Sequence, residues 1–161
     1  MPRDEGGFTL IELLIVIAII LIITAIAIPN LLRSRIAANQ ASAIQSMRVM
    51  GTAEITYSAI YGSGYSTTLP MLGPPPAGTS VSASAAGLVD DLLAAGAKSG
   101  YNFTYSPTLL DSTGRYNGYT ILANPTVPGF TGSNFYYTDE THVIRMNSSA
   151  QAGSTDSFVA D

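Results

Sequence analysis

The chain has 161 residues, a net charge of −4 and no cysteine. Its basic side chains neither cluster nor alternate with aromatic ones, so the composition gives no indication of nucleic-acid binding. Without cysteine there is neither a disulfide nor a thiolate to serve as a nucleophile or a metal ligand. About 100 residues follow the long helix predicted below, which is enough for a single modest hydrophobic core.

An apolar segment runs from Phe8 to Ile28, and Glu12 is its one charged side chain. In an α-helix, a segment of this length spans roughly 30 Å, about the thickness of the hydrocarbon core of a bilayer. We therefore predict a membrane-spanning helix. A carboxylate at the centre of such a helix costs on the order of 3 kcal/mol, and less near an end. Glu12 thus needs either a hydrated interfacial position or a partner.

The residues around this segment form a pattern: Gly7-Phe8-Thr9-Leu10-Ile11-Glu12 opens it and Pro29 follows it. The pattern resembles the N-terminus of type IV pilin precursors, in the type IV pilin and pseudopilin superfamily. That resemblance implies a leader over residues 1–7 and cleavage between Gly7 and Phe8 by a membrane aspartic protease. It also implies N-methylation of the new Phe8 amine, which keeps its positive charge. In subunit assembly, Glu12 would pair with the Phe8 amine of a neighbouring copy and set the axial register.

The position of the small residues distinguishes this leader from a secretory signal peptide, whose cleavage site follows the apolar run. Here Gly6-Gly7 precedes the run, so cleavage would leave the apolar helix on the mature chain. Arg33 and Arg35 flank the far end, and the positive-inside rule favours a cytoplasmic location for that end. The resemblance implies the opposite orientation, with the leader in the cytoplasm, and we follow it. Pairing of Glu12 with the Phe8 amine of its own chain remains a competing arrangement.

Helix-forming residues continue beyond Pro29, and we predict an amphipathic helix over residues 29–61. Its predicted buried stripe comprises Ile36, Ala43, Met47 and Met50, while Arg35, Asn39, Ser42 and Ser46 lie largely off it. Pro29 has no N–H and crowds the carbonyl of Ala25, so we predict a helix kink there, at a cost of about 3 kcal/mol in an ordinary helix interior. Two interpretations of Pro29 remain: a simple bend in the helix, or a weak point at which the helix unwinds during subunit packing.

Residues 62–161 are predicted to form a globular head. Gly62-Ser63-Gly64 ends the helix, and a loop rich in proline and serine follows over about 25 residues. Ala86–Lys98 is predicted to be a short helix. Residues typical of β-strands, some in period-two alternation, predict strands at Tyr101–Tyr105, Tyr116–Ala123, Asn134–Thr138 and His142–Met146. The predicted fold class is α+β and pilin-like, with a long N-terminal helix packed on a small antiparallel sheet.

The head contains few candidate catalytic or metal-binding residues. Asp90-Asp91 and Asp139-Glu140 are interpreted as surface acids in a helix and a turn, since a calcium site needs more oxygen ligands. His142 has no cysteine or second histidine to share a transition metal. No Gly-x-Ser-x-Gly sequence accompanies it. We therefore predict no catalytic residue, no metal and no cofactor.

The resulting hypothesis is a non-enzymatic structural subunit that polymerises into a type IV pilus filament after leader cleavage and N-methylation. The resemblance implies these partners: other copies of the chain, the prepilin peptidase and methyltransferase, the assembly machinery of the bacterial inner membrane, and lipid before assembly. The precursor would lie in the inner membrane and the assembled subunit in an extracellular filament with roles in adhesion, motility or DNA uptake. A pseudopilin of a type II secretion system and a single-pass anchored binding protein are the alternatives.

Overall fold

The computed structural model describes residues 7–159, so residues 1–6 of the predicted leader lie outside it. The chain divides into two units, Met1–Arg35 and Ile36–Asp161. Helix α1, Leu10–Tyr61, begins in the first unit and ends in the second, and Pro29 lies inside it. It ends where Gly62 adopts a left-handed φ of 62°, a conformation that glycine takes without strain.

In the first unit, the apolar side chains of α1 are exposed. In the most apolar stretch of the helix, 18 consecutive residues long, no residue is buried. By length and composition, the helix could cross a membrane. The hydroxyl of Thr24 donates to the carbonyl of Ile20 at 2.8 Å, so this polar group is satisfied within the helix. Such a surface is suited to lipid or to other apolar helices and not to water.

In the second unit, α1 supplies one face of the hydrophobic core. Of the predicted stripe, Ala43, Met47 and Met50 are buried and Ile36 is partly buried, and Tyr57 extends the stripe by two turns. The assignment of Ser46 to the exposed face was wrong, because it lies three residues after Ala43 on the same side of the helix and is buried.

A six-stranded antiparallel sheet packs against this stripe, with its strands in chain order from β1 to β6. The strands are β1 (Ala97–Lys98), β2 (Tyr101–Leu110), β3 (Tyr116–Pro125), β4 (Phe135–Asp139), β5 (Arg145–Asn147) and β6 (Ser157–Phe158). On β3, Tyr119, Ile121 and Ala123 alternate with more exposed residues and are fully buried. The predicted α+β class, with an antiparallel sheet on the long helix, is therefore confirmed.

The predicted helix over Ala86–Lys98 was largely wrong. Only Asp91–Ala94, helix α2, is helical, and Ala97 and Lys98 belong to β1. The amides of Leu88 and Val89 both donate to the carbonyl of Leu72, at the end of a short 3₁₀ helix over Leu69–Leu72. Their apolar side chains therefore contact the core from a non-helical segment. The spacing of apolar residues in a sequence does not distinguish such a short segment from a helix.

One acidic side chain, Glu54 of α1, is completely buried, with 0% of its surface exposed. Its Oε2 accepts a bond from the amide of Ser66 at 2.9 Å, and its Oε1 accepts one from the Ser66 hydroxyl at 2.6 Å. The carbonyl of Ser66 in turn accepts a bond from the Tyr105 hydroxyl at 2.7 Å. Ser66 thereby joins the helix, the loop that follows it and strand β2.

A second junction lies where α1 meets the turn after β4. Gly51 is a glycine inside a helix, where alanine is ordinarily preferred by about 1 kcal/mol. A Cβ on Gly51 would lie 2.6 Å from Nδ1 of His142 and 3.3 Å from the hydroxyl oxygen of Tyr119. The imidazole occupies the space of the missing methyl group, and its Nε2 lies 3.4 Å from the Tyr119 hydroxyl.

Replacement of Glu54 by glutamine should change how stability depends on pH. Burial raises the pKa of Glu54 above its ordinary value of 4.5. Protonated Glu54 therefore stabilises the folded chain. This stabilisation is complete at pH values below the pKa of Glu54 in the unfolded chain, and it is lost as pH rises through the pKa of Glu54 in the folded chain. Glutamine retains the bond from the Ser66 amide, and the Ser66 hydroxyl can turn toward the Thr68 carbonyl, 3.3 Å away. We expect the free energy of unfolding of the unmodified chain, relative to Glu54→Gln, to fall as pH rises.

Urea unfolding of the full chain in detergent, followed by the near-ultraviolet circular dichroism of its tyrosines, measures this difference. Glu140→Gln, a change at a half-buried glutamate in the turn after β4, is the matched control. Parallel stability curves for the unmodified chain and Glu54→Gln across the pH range would contradict the expectation.

Gly51→Ala should stabilise the helix only when the imidazole is absent. We expect a gain of about 1 kcal/mol in the free energy of unfolding in a His142→Ala background, and little gain or a loss with His142 present. A double-mutant cycle by urea unfolding measures the coupling between the two positions. Equal gains in both backgrounds would show that the imidazole does not restrict residue 51.

Candidate functional site

The segment Gly7–Glu12 carries the predicted processing and assembly residues, and the structure describes all of it. Gly7, Phe8 and Thr9 are not helical, and α1 begins at Leu10. Phe8 is 80% exposed, and a Cβ on Gly7 would meet no atom within 4 Å. The peptide bond between Gly7 and Phe8 is therefore in an exposed, irregular segment, which is the type of backbone that proteases cleave most readily.

Glu12 contacts Thr9 at the start of the helix. Its Oε2 accepts bonds from the Thr9 amide at 2.9 Å and the Thr9 hydroxyl at 2.7 Å. The Thr9 hydroxyl lies 3.3 Å from the amide of Glu12, which donates to it. These reciprocal bonds form a capping box, in which a threonine and a glutamate three residues later satisfy free amides of the first helical turn.

Sequence reasoning did not assign this role to Thr9. The signal was present, because Thr9-Leu10-Ile11-Glu12 has the threonine-x-x-glutamate spacing that precedes many helices. The cap gives Glu12 a local function that needs no second chain. A carboxylate at a helix N-terminus is also favoured by the partial positive charge of the first turn.

The cap leaves part of the carboxylate available. Both bonds from Thr9 go to Oε2, and within residues 7–159 no hydrogen bond is donated to Oε1 of Glu12. An ionised carboxylate has about four acceptor positions, so Glu12 can keep its cap and accept a further donor. The whole segment is exposed, so a donor from another molecule has access to it.

The remaining predicted site residue, Pro29, is not part of the segment Gly7–Glu12. Pro29 lies 17 positions beyond Glu12, and helical residues precede and follow it. The kink at Pro29 stays a prediction.

One acid of each pair in the head, Asp90 and Asp139, makes local structural hydrogen bonds. Asp90 caps α2 by accepting a bond from the amide of Leu93, and its carboxylate lies 2.5 Å from the amine of Lys98. Asp139 accepts two bonds from Thr141, at its amide and its hydroxyl. Within the described residues, no group of three or more histidine or acidic side chains has an arrangement that could hold a metal ion.

Comparison with known proteins places the similarity in short segments. A family model described as the prokaryotic N-terminal methylation motif matches residues 2–28. The type IV wide pilus major component PilA4 of Thermus thermophilus is 68% identical over 37 residues, which are 23% of this chain and 28% of that protein. The type IV major pilin protein PilA of Myxococcus xanthus is 45% identical over 56 residues, 35% of this chain and 25% of that protein.

The chain thus spans about a quarter of the length of these two curated relatives. The motif match contains the cleavage, methylation and assembly positions predicted at Gly7, Phe8 and Glu12. These matches confirm the resemblance to type IV pilins recognised from the sequence, and residues 2–28 carry the prokaryotic N-terminal methylation motif.

Proposed function

We propose that this chain is a filament-forming subunit of a type IV pilus and has no enzymatic role. A peptidase hydrolyses the bond between Gly7 and Phe8, which releases residues 1–7 and leaves an α-amine on Phe8. N-methylation of this amine preserves its positive charge. The apolar helix then moves from the bacterial inner membrane into the core of an extracellular filament, where lipid is replaced by helices of other copies.

The observation that carries this proposal is the available oxygen of Glu12. Because the cap uses Oε2, the Phe8 amine of a neighbouring copy can bond to Oε1 without displacing Thr9. Between apolar helices the surrounding dielectric constant is low, which strengthens the attraction between the two charges. Taking both charges out of water offsets much of that gain, so the pair serves to fix the axial register more than to stabilise the filament.

The C-terminal region favours a pilin over the pseudopilin alternative. A major pseudopilin usually has an acid-rich calcium loop there, whereas residues 147–161 contain two isolated acidic side chains, Asp156 and Asp161. The Oδ1 of Asp156 accepts a bond from the Asn147 amide group at 3.1 Å and its Oδ2 one from the Gly153 backbone amide at 2.8 Å. The guanidinium of Arg145 donates to its carbonyl at 2.9 Å. These bonds close the loop between β5 and β6.

Electron microscopy of filaments sheared from cells that produce the chain, with mass spectrometry of the subunit, tests the proposal as a whole. We expect filaments built from a subunit that begins at a methylated Phe8. Short periplasmic filaments in place of surface fibres would favour the pseudopilin. Recovery of only uncleaved, monomeric protein would overturn the filament proposal.

Gly7→Leu should abolish leader cleavage, because a bulky side chain replaces the hydrogen of the residue on the acyl side of the scissile bond. Gly153→Leu is the matched control, since a Cβ there also meets no atom within 4 Å. The mass of the purified chain reports cleavage directly. Normal processing of Gly7→Leu would show that cleavage does not depend on this glycine.

The two roles of Glu12 can be separated, since a capping box accepts glutamine in place of glutamate. Glu12→Gln keeps the cap and removes the charge, whereas Thr9→Ala keeps the charge and weakens the cap by about 1 kcal/mol. We expect both variants to be cleaved and inserted, and Thr9→Ala to form filaments. Glu12→Gln and Glu12→Ala should form few or none.

Counts of filaments per cell, with the mature chain quantified in membrane fractions, measure the difference. Abundant filaments from Glu12→Gln would show that the charge does not set the register. Loss of filaments from Thr9→Ala alone would assign the role of Glu12 to the helix cap.

A further inference from the structure

The loop over residues 126–134, between β3 and β4, exposes apolar side chains. Phe130 is 64% exposed and Val127 is 47% exposed. The nine residues of the loop include no charged side chain. An exposed phenylalanine in an uncharged loop is unfavourable in water and suited to an interface with an apolar phase.

The 126–134 loop satisfies many of its own polar groups. The amide of Thr131 donates to the Val127 carbonyl at 2.9 Å, and the Thr131 hydroxyl accepts a bond from the Val127 amide at 3.0 Å. The amide of Gly129 donates to the Gly132 carbonyl at 2.8 Å. Backbone groups that are already bonded lose less when water is removed, so this loop can enter a less polar environment at low cost.

Two hydrogen bonds attach this loop to α1. The side-chain amide of Asn39 donates to the Thr131 carbonyl at 2.8 Å, and that of Gln40 donates to the Ser133 hydroxyl at 2.7 Å. Asn39 comes four residues after Arg35 and seven after Leu32, an exposed leucine that continues the apolar series. Among the described loops of the head, the 126–134 loop is thus bonded to the part of α1 that follows the apolar segment most closely in sequence.

We propose that the 126–134 loop lies in the headgroup layer of the membrane before assembly, with Phe130 and Val127 in contact with lipid. This inference depends on the membrane anchoring in the proposed function. Aromatic side chains are favourable at this depth, where one part of the environment is apolar and another is hydrated.

Tryptophan fluorescence tests the proposal, because the chain contains no tryptophan and each variant has a single reporter. Phe130→Trp places it at the loop tip, and Val127→Trp provides a second reporter if the first variant does not fold. Val81→Trp is the control. Val81 is 62% exposed, and nearby Ala83 accepts a bond from the hydroxyl of Tyr57, much further along α1 than Asn39.

The full chain is reconstituted at low density into vesicles of phosphatidylcholine and phosphatidylglycerol with brominated acyl chains. Flotation first establishes that the chain is membrane-bound, and circular dichroism establishes that the head is folded. We expect a blue-shifted emission and strong bromine quenching for tryptophan at 130 or 127, and little quenching at 81.

Each of the other possible results would overturn the loop proposal, the membrane anchoring or both. A floating, folded chain whose loop reporters are quenched no more than the control would overturn the loop proposal alone. Quenching or a blue shift that appears only at high protein density would assign the loop to contacts between copies, which overturns the lipid contact. A chain that does not float would overturn the membrane anchoring itself, and the loop proposal with it.

Discussion

The exposed apolar surface of α1 is the constraint on which the rest of the molecule depends. The same helix contributes to the core of the head through residues 43–57, where the sheet covers it, and presents uncovered leucine and isoleucine side chains over residues 10–32. Water is a poor environment for the second region, so it requires either lipid or the helices of other copies. A transfer between those two environments exchanges one apolar contact for another, which makes packing geometry and a few polar groups decisive for specificity.

Glu12 is the polar group best placed for that role, and its cap changes the energetic description. The sequence alone describes Glu12 as a carboxylate without a partner in an apolar segment. In the structure, two bonds from Thr9 stabilise it at the helix terminus, so anchoring in lipid is less unfavourable than for an unpartnered charge. In the proposed assembly, the attraction of Glu12 for a second chain would therefore come from its remaining acceptor oxygen and not from a wholly unsatisfied group.

Short-range patterns in the sequence predicted the main features of the fold. The spacing of Gly7, Phe8 and Glu12 identified the N-terminal segment, and the alternation around Tyr119 and Ile121 identified a central strand. Features that depend on tertiary contacts were missed. Strands β1 and β6 have two residues each, too few for a periodic signal, and they exist because β2 and β5 present free edges to them. Burial of Glu54 was equally hidden, because its partner Ser66 lies in a loop that the sequence describes only by composition.

The closure of the loop before β6 has a mechanical consequence. Asp156 holds that loop through hydrogen bonds to Asn147 and Gly153, and β6 pairs with β5 over only two residues. A disulfide resists tension until a covalent bond breaks, whereas hydrogen bonds yield one after another and re-form when the tension ends. A pull on the C-terminal segment therefore peels β6 from the sheet edge before it disturbs the core around Tyr119. Because these contacts are hydrogen bonds, they can form again after such an extension without an oxidant.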